Sequence, residues 1–294
     1  IQFRDGTAEV LYVVDGVNAL RSVTQAFAVS GNIASTPTLL SHLAVYNNRL
    51  FALDVAAKKL HWSGLNNGHT LSQSASGGGT VVLDMNPGES PREIIATGDA
   101  LFIVNDRSVS RFTGWSQDDF SVESGLRGAY IQLPTLNGAS AIAVQNVLYV
   151  TTQQGEVYQL ALGNAPKLIS EPVRGLPITT STQTHQNTIA LPGLRLIVWP
   201  CNTTLDGGTS RFICYNYERG VWECSWQGVG LASQVLWADT SIALTSDRNL
   251  LYFLANDNTV YRFDRDRFDD GANAAGANGS GFGGTILTQD VIVE

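Results

Sequence analysis

Short apolar runs recur along the chain, and they begin with leucine followed by an aromatic residue. The pair stands at Leu11–Tyr12, Leu50–Phe51, Leu101–Phe102, Leu148–Tyr149 and Leu251–Tyr252. A second apolar run follows each after eight to ten residues, at Leu20, Leu60, Val109, Val157 and Val260. The later copies alternate plainly, as in Val157-Tyr158-Gln159-Leu160 and Val260-Tyr261-Arg262-Phe263, and both follow polar turns, Gln153-Gln154-Gly155 and Asn256-Asp257-Asn258. Alternation bounded by such residues is the signature of β-hairpins. One more strand precedes each hairpin, across Asp5-Gly6, Asn47-Asn48, Gly98-Asp99, Gln145-Asn146 or Asp247-Arg248-Asn249. Each unit therefore reads strand, turn, Leu–aromatic strand, turn, strand.

Leu148 and Leu251 lie 103 residues apart, room for two periods. A sixth copy fits at Leu196-Ile197-Val198, introduced by Pro192-Gly193, with a longer hairpin through Arg211–Tyr217 and Val221–Trp226. No window sustains a helical i, i+3, i+4, i+7 pattern over three turns. A four-stranded sheet repeating about every 40–50 residues is the pattern of propeller blades. The expectation is an all-β chain, a β-propeller of six blades of short antiparallel strands, forming one domain over residues 1–294. Within it, 271–284 reads as a flexible Gly/Ala/Asn loop and Thr285–Glu294 as a closing strand.

Composition sharpens this. Only 15% of residues are charged, against about 25% in a typical soluble domain, as expected of blades that bury both faces against neighbours. The net charge is −8, the pI is near 5.0 and the mean hydropathy is +0.01. Of 18 basic residues only Lys58, Lys59 and Lys167 are lysine. The apolar content excludes disorder, no apolar run is long enough for a membrane-spanning helix, and basic nucleic-acid readers have pI above about 9. No signal-peptide pattern precedes the first strand, so with Ile1 in first place either a leader has been removed or the sequence starts inside a longer product. Cys201, Cys214 and Cys224 lack metal-ligand spacing. A Cys214–Cys224 bridge would require the turn to set them opposite each other; buried free thiols are the default.

Candidate chemistry is sparse. The histidines at 42, 61, 69 and 185 form no metal-binding pair, and His42 and His61 read as structural. There is no G-x-S-x-G elbow. Gly77-Gly78-Gly79 lacks a P-loop lysine and reads as a flexible loop. In Asp264–Gly271 a phenylalanine takes the fifth calcium-loop position and an aspartate the sixth, where glycine is required. No catalytic residue, cofactor or metal ligand is assigned. The aromatic hairpin Tyr215, Tyr217, Trp222 and Trp226 reads as blade packing or as a platform for a sugar or base, and so as the candidate interaction surface.

The order of motifs carries a resemblance. Val14-Asp15-Gly16-Val17-Asn18 is followed by Thr36-Pro37, Asn48-Arg49-Leu50-Phe51 and Trp62-Ser63-Gly64-Leu65-Asn66-Asn67. Later come Ser108-Val109-Ser110-Arg111-Phe112-Thr113-Gly114 and Tyr215-Asn216 with Trp222. Over roughly residues 10–265 this order resembles the β-propeller tail hub and tail nozzle proteins of short-tailed bacteriophages. Such proteins usually add a platform or stem, whereas here six repeats consume nearly the whole chain, leaving hub and nozzle undistinguished. The resemblance implies a non-catalytic virion protein, assembled in the host cytoplasm, whose copies ring the tail axis. It would meet the portal or adaptor and other tail proteins, and double-stranded DNA would pass without sequence-specific binding. A glycan- or receptor-binding propeller is the alternative, and a propeller glycoside hydrolase or lyase stands last.

Overall fold

The computed structural model describes residues 1–6, 8–23, 29–116, 118–123, 133–134, 136, 141–161, 165–173, 188–202, 210–227, 236–239, 250–254 and 260–263. The loop 271–284, the closing strand at 285–294, the Asp264–Gly271 cluster and His185 lie outside them. The chain divides into two compact units. One comprises Ile1–Gly138, Ala143–Tyr149 and Leu160–Pro166, and the other Ala139–Ile142, Val150–Gln159 and Lys167–Glu294.

The protein is all-β and propeller-like: the described residues form six sheets, each a meander of strands in sequence order. The first holds β1 (Gln2–Asp5), β2 (Ala8–Val13) and β3 (Arg21–Val23). The second holds β4 (Leu40–Tyr46), β5 (Arg49–Asp54), β6 (Lys59–Trp62) and β7 (Gly79–Val82). The third holds β8 (Pro91–Ala96), β9 (Leu101–Asn105), β10 (Val109–Thr113) and β11 (Ser121–Glu123). These three belong to the first unit. A sheet of β12 (Ile142–Val144), β13 (Val147–Thr151), β14 (Val157–Ala161) and β15 (Lys167–Leu168) has residues in each unit. The second unit holds β16 (Ile189–Leu191), β17 (Leu196–Asn202), β18 (Ser210–Asn216) and β19 (Val221–Gln227), then β20 (Leu236–Asp239), β21 (Leu250–Leu254) and β22 (Val260–Phe263). Among the described residues no helix is long and apolar enough to cross a membrane.

Every Leu–aromatic pair, and Leu196-Ile197-Val198, lies on the second strand of its sheet: β2, β5, β9, β13, β17 and β21. Side chains alternate across a strand, so the pair sends one residue to each face. On β5, where all six residues are buried, Leu50 and Ala52 pack with Phe3 and Tyr12 of the first sheet and with Leu20 of its β2–β3 connection. Phe51 and Leu53 pack instead with Leu101, Ile103 and Phe112 of the third. Leu101 on β9 likewise faces the preceding sheet. In the second and third sheets leucine thus points backward along the chain, and on β5 the aromatic points forward. On β2 Tyr12 is fully buried against the second sheet while Leu11 is 44% exposed.

Within the described residues the turns at Asp5-Gly6, Asn47-Asn48, Gly98-Asp99, Gln145-Asn146 and Gln153-Gln154-Gly155 join strands as the pattern predicts. Asn47 and Asn48 have φ of 47° and 55°, and Gln145 and Asn146 of 50° and 62°, the twin left-handed residues of a type I′ hairpin. Asp247-Arg248-Asn249 and Asn256-Asp257-Asn258 lie outside the described residues. The β18–β19 register sets Cys214 opposite Cys224, the placement a bridge between them requires.

Between the second and third sheets the core is rich in aromatic rings. Phe51 lies 5.2 Å from Phe112, 6.0 Å from Phe120 and 5.9 Å from Tyr46, centroid to centroid, and Trp62 lies 5.4 Å from Phe120. Phe51→Ala opens a cavity among these rings and should cost about 3–5 kcal/mol, measured by urea unfolding; a loss below about 1 kcal/mol would contradict the packing described.

Candidate functional site

The aromatic hairpin folds inward. Tyr215 stands opposite Trp222 in the β18–β19 register and is 3% exposed. Its ring lies 5.1 Å from Trp222 and 6.5 Å from Trp199, with Trp199 5.4 Å from Trp222. Both indoles use their donors internally: Trp222 Nε1 donates to the Ile169 carbonyl at 2.7 Å and Trp199 Nε1 to Thr151 Oγ1 at 3.1 Å. Tyr217 lies beyond the stack, its backbone amide on the Arg195 carbonyl and its phenol near the Pro192 carbonyl. Burial raises the pKa of both tyrosines, with Glu218 adding to it at Tyr217. Trp226 stands opposite Phe212, nearer the other end of β19. Three rings meet, and the third was not anticipated. Trp199 is two residues after Ile197, the partner of Tyr215, so the period-two alternation of β17 would have revealed it.

The ordered motifs of the sequence hold turns and strands together. In Asp15-Gly16-Val17-Asn18 the Asp15 carboxylate accepts from the Asn18 amide at 2.7 Å, the Asn18 side chain at 2.6 Å and the Val17 amide at 3.0 Å. These bonds hold its pKa down at about 2. Arg49 is 9% exposed, and one guanidinium nitrogen donates to the carbonyls of Ser63 at 2.8 Å and Gly77 at 2.7 Å. Its carbon lies 5.7 Å from the Phe120 centroid. Ser63 Oγ accepts the Leu50 amide at 2.9 Å. In Ser108–Gly114, Ser108 Oγ donates to the buried Glu89 carboxylate at 2.9 Å, Asn105 donates to both Ser108 and Ser110, and Phe112 enters the aromatic core. Asn216 Oδ1 accepts the amides of Glu218 and Arg219, shaping the β18–β19 turn.

The triple glycine is a correction to the sequence reading: close packing holds it. A Cβ on Gly78 would lie 2.4 Å from the Thr70 carbonyl oxygen, and one on Gly79 2.3 Å from the Trp62 ring. Only hydrogen fits there.

At one end of the first unit's sheets, hairpin tips are linked in a row. The Gly6 amide donates to the Asn66 carbonyl and the Asn66 amide to the Asn48 carbonyl, each at 2.8 Å. Asn47 Nδ2 donates to the Gly114 carbonyl at 2.7 Å and the Tyr46 hydroxyl to the Asp99 carbonyl at 3.1 Å. Asn146 closes the series, donating to Asp99 Oδ2 at 2.7 Å and accepting the Gly98 amide at 3.1 Å. Beyond Gly114 the β10–β11 turn lifts Trp115 into solvent, 74% exposed.

The described histidines and Tyr12 bond to side chains of their own unit, although His61 Nε2 is buried without a hydrogen-bond partner. His42 and His61 bond Ser41 Oγ at 2.9 Å and Ser72 Oγ at 2.7 Å, and burial lowers both pKa values. The Tyr12 hydroxyl donates to Asp5, whose same oxygen lies 3.5 Å from His69 Nε2. Burial, reinforced by Asp5, pushes the Tyr12 phenol far above its ordinary value. Among the described residues no cluster of three His, Cys, Asp or Glu side chains is placed to hold a metal ion.

No family model matches the chain, and no curated protein matches it. Solved structures share its fold. One is the extracellular domain of a protein described as a one-component system of B. thetaiotaomicron, at 13% identity and a TM-score of 0.56. The match covers 90% of this chain, which spans only 32% of that one. Another, described as a 6-phosphogluconolactonase of Bacteroides uniformis, has 12% identity and a TM-score of 0.55, over 87% of this chain and 77% of that one. At such identities the likeness is one of fold.

Gly78→Ala should destabilise by about 1–3 kcal/mol, whereas Gly31→Ala, with nothing within 4 Å of the new carbon, should change stability by less than about 0.5 kcal/mol; paired urea titrations check this. His61 supplies a pH signature. Its folded pKa lies below the unfolded 6.5, so the unfolded chain binds the proton first and stability falls as pH drops below 6.5. His61→Gln should flatten that slope by up to about 1.4 kcal/mol per pH unit. Asp15, depressed from 3.8 to about 2, acts in a separate, more acidic window, where its stabilising contribution is lost as pH falls.

Proposed function

We propose that this chain is a structural subunit of a bacteriophage tail, a hub or nozzle component without catalytic activity, whose sheets close as a six-bladed propeller. Copies of it ring the DNA exit channel between the portal or adaptor and other tail proteins, in the virion. The observation that carries this reading is the ordered set of motifs, each serving a joint: Asp15–Asn18 at a turn, Asn48–Phe51 and Trp62–Asn67 at linked tips, Ser108–Gly114 at a strand and its tip. A sequence that resembles tail propellers at these positions resembles them where consecutive sheets are shaped and linked.

Two further features support it. Leu11 occupies the backward-pointing position that Leu50 and Leu101 fill in buried form, yet it is 44% exposed, with Val13 at 42%. A closing blade would cover that face. The acidic balance of −8 would repel the phosphate backbone and let DNA pass without adhering. The stack of Tyr215 and Trp222 on Trp199 lends no support to a sugar platform there, because the rings pack on one another and Tyr215 and Trp199 are buried.

Cryo-electron microscopy of the particle, joined to mass spectrometry of purified virions, tests the proposal. The chain should be a stoichiometric tail component, present as a ring of propellers around an axial channel. Absence from virions, or a channel lined by arginine, would overturn it.

A further inference from the structure

We infer that Cys214 and Cys224 are a redox pair: under oxidising conditions they join as a disulfide that fastens β19, the outer strand of its sheet, to β18. The pair follows from the backbone register and is independent of the tail assignment.

A regular hairpin would not set these residues together. Counting back from the turn, Asn216 stands opposite Val221 and Tyr215 opposite Trp222, so unbroken pairing would put Glu223 opposite Cys214. The ladder instead shifts by one residue between Cys214 and Tyr215, and Cys214 meets Cys224. Glu223 is the extra residue of this β-bulge, and it is held in place. Its Oε1 accepts Asn216 Nδ2 at 2.7 Å and lies 3.1 Å from Arg219 Nη1. The bulge is what aligns the two cysteines.

The alignment suits a disulfide. Directly opposed residues of an antiparallel pair share a face of the sheet, with Cα atoms about 4.5–5.5 Å apart, and bridged cysteines have Cα atoms about 4.4–6.8 Å apart. The third cysteine does not compete. Cys201 stands opposite Arg211, and Cys214 opposite Val198, so three residues of β17, about 10 Å of strand, separate Cys201 from the level of Cys214. Cys224 lies one strand farther off. Neither can be bridged to Cys201 without moving the backbone.

The position also says what the bond does. In the sheet order β16-β17-β18-β19, β19 pairs with β18 alone, and strands with fewer partners open at lower cost. On the turn side of the bulge, Asn216 and the Tyr215–Trp222 contact already secure the hairpin. Beyond the bulge the cysteines are the first pair of the ladder. A covalent link there fixes the register that the bulge sets.

The step is thiol–disulfide exchange with a low-molecular-weight disulfide such as oxidised glutathione. Cys214 is a buried thiol, so Cys224 on the outer strand reacts first. Its thiol loses a proton, and the thiolate attacks one sulfur of the reagent and expels one reagent thiolate. Cys214, deprotonated in turn, attacks the Cys224 sulfur of the mixed disulfide and expels the second. Two protein thiols are oxidised, one reagent disulfide is reduced, and the two leaving thiolates take up the two protons. A reducing cytosol holds such a pair as thiols, and an oxidising surrounding closes it.

Oxidised glutathione added to the folded, previously reduced full chain is the test, read by thiol titration in denaturant and by intact mass. The three cysteine thiols should fall to one, with the mass lower by two hydrogens. Tryptic cleavage after Arg219 separates the pair, so the peptides bearing Cys214 and Cys224 should stay joined until reductant is added. Cys201→Ser should leave the link intact, and Cys214→Ser should abolish it. The bridged chain should melt several degrees above the reduced one. The same oxidation in denaturant, where register is lost, should scatter links among all three cysteines. Three thiols still titrating after oxidation of the folded chain, glutathione adducts in place of the link, or native links as scattered as the denatured ones overturn the inference. An unchanged melting temperature overturns the fastening role.

Discussion

The structure depends on a strand buried on both faces. Five of the six described sheets take their second strand from a Leu–aromatic pair, and on β5 alternate side chains serve two neighbouring cores: Leu50 and Ala52 one, Phe51 and Leu53 the other. Such a strand has no solvent face, and on β5 charge stands only at its two ends, Arg49 and Asp54. That constraint accounts for the low charged fraction and for the repeat itself. A leucine and an aromatic in sequence are the shortest way to fill two apolar interfaces from one strand, since successive side chains point to opposite sides.

Stacked sheets still need to be held at their ends, and the chain does this with turns. Asparagine recurs at the tips because it tolerates left-handed backbone while its amide remains available to bond the next sheet. Asn47 and Asn146 do both. Between β6 and β7 the same task falls to close packing: Arg49 bonds two loop carbonyls, and the glycines let backbone approach backbone. Asp15, Asn47, Arg49 and Ser108 are such joints, so they concern how sheets are shaped and linked more than any chemistry performed on a ligand. Polar groups follow the same logic. Glu89, His61 and Asp15 bond hydroxyls and amides of their own unit and so fix local geometry.

The aromatic hairpin and the exposed tip make an instructive pair. Tyr215 and Trp222 stood out in sequence because aromatics clustered there, and they are packed inward. Trp115 stood in no cluster, yet it is the ring in solvent. Local composition reports how much aromatic surface a segment has, while the side on which a ring falls depends on what packs over it. Trp222 lies over β17, where Trp199 awaits it, whereas Trp115 rides on a turn whose next residues, capped by Asp119 and anchored by Phe120, hold it away from the core.

The sequence by itself determined the strands, their grouping and most turns: period-two alternation, the recurring Leu–aromatic pair and Asn or Gly at the hairpins are local signals, governed by backbone sterics and side-chain direction. It placed six second strands and four of their leading turns, Asp5-Gly6, Asn47-Asn48, Gly98-Asp99 and Gln145-Asn146. What only the tertiary structure decided was contact between residues far apart in the chain. The closeness of Gly78 to Thr70, the reach of Asn146 to Asp99, the seat of Trp199 under Trp222 and the exposure of Trp115 all depend on which sheet lies beside which. Pattern fixes the face on which a side chain stands, and the neighbouring sheet decides what meets it there.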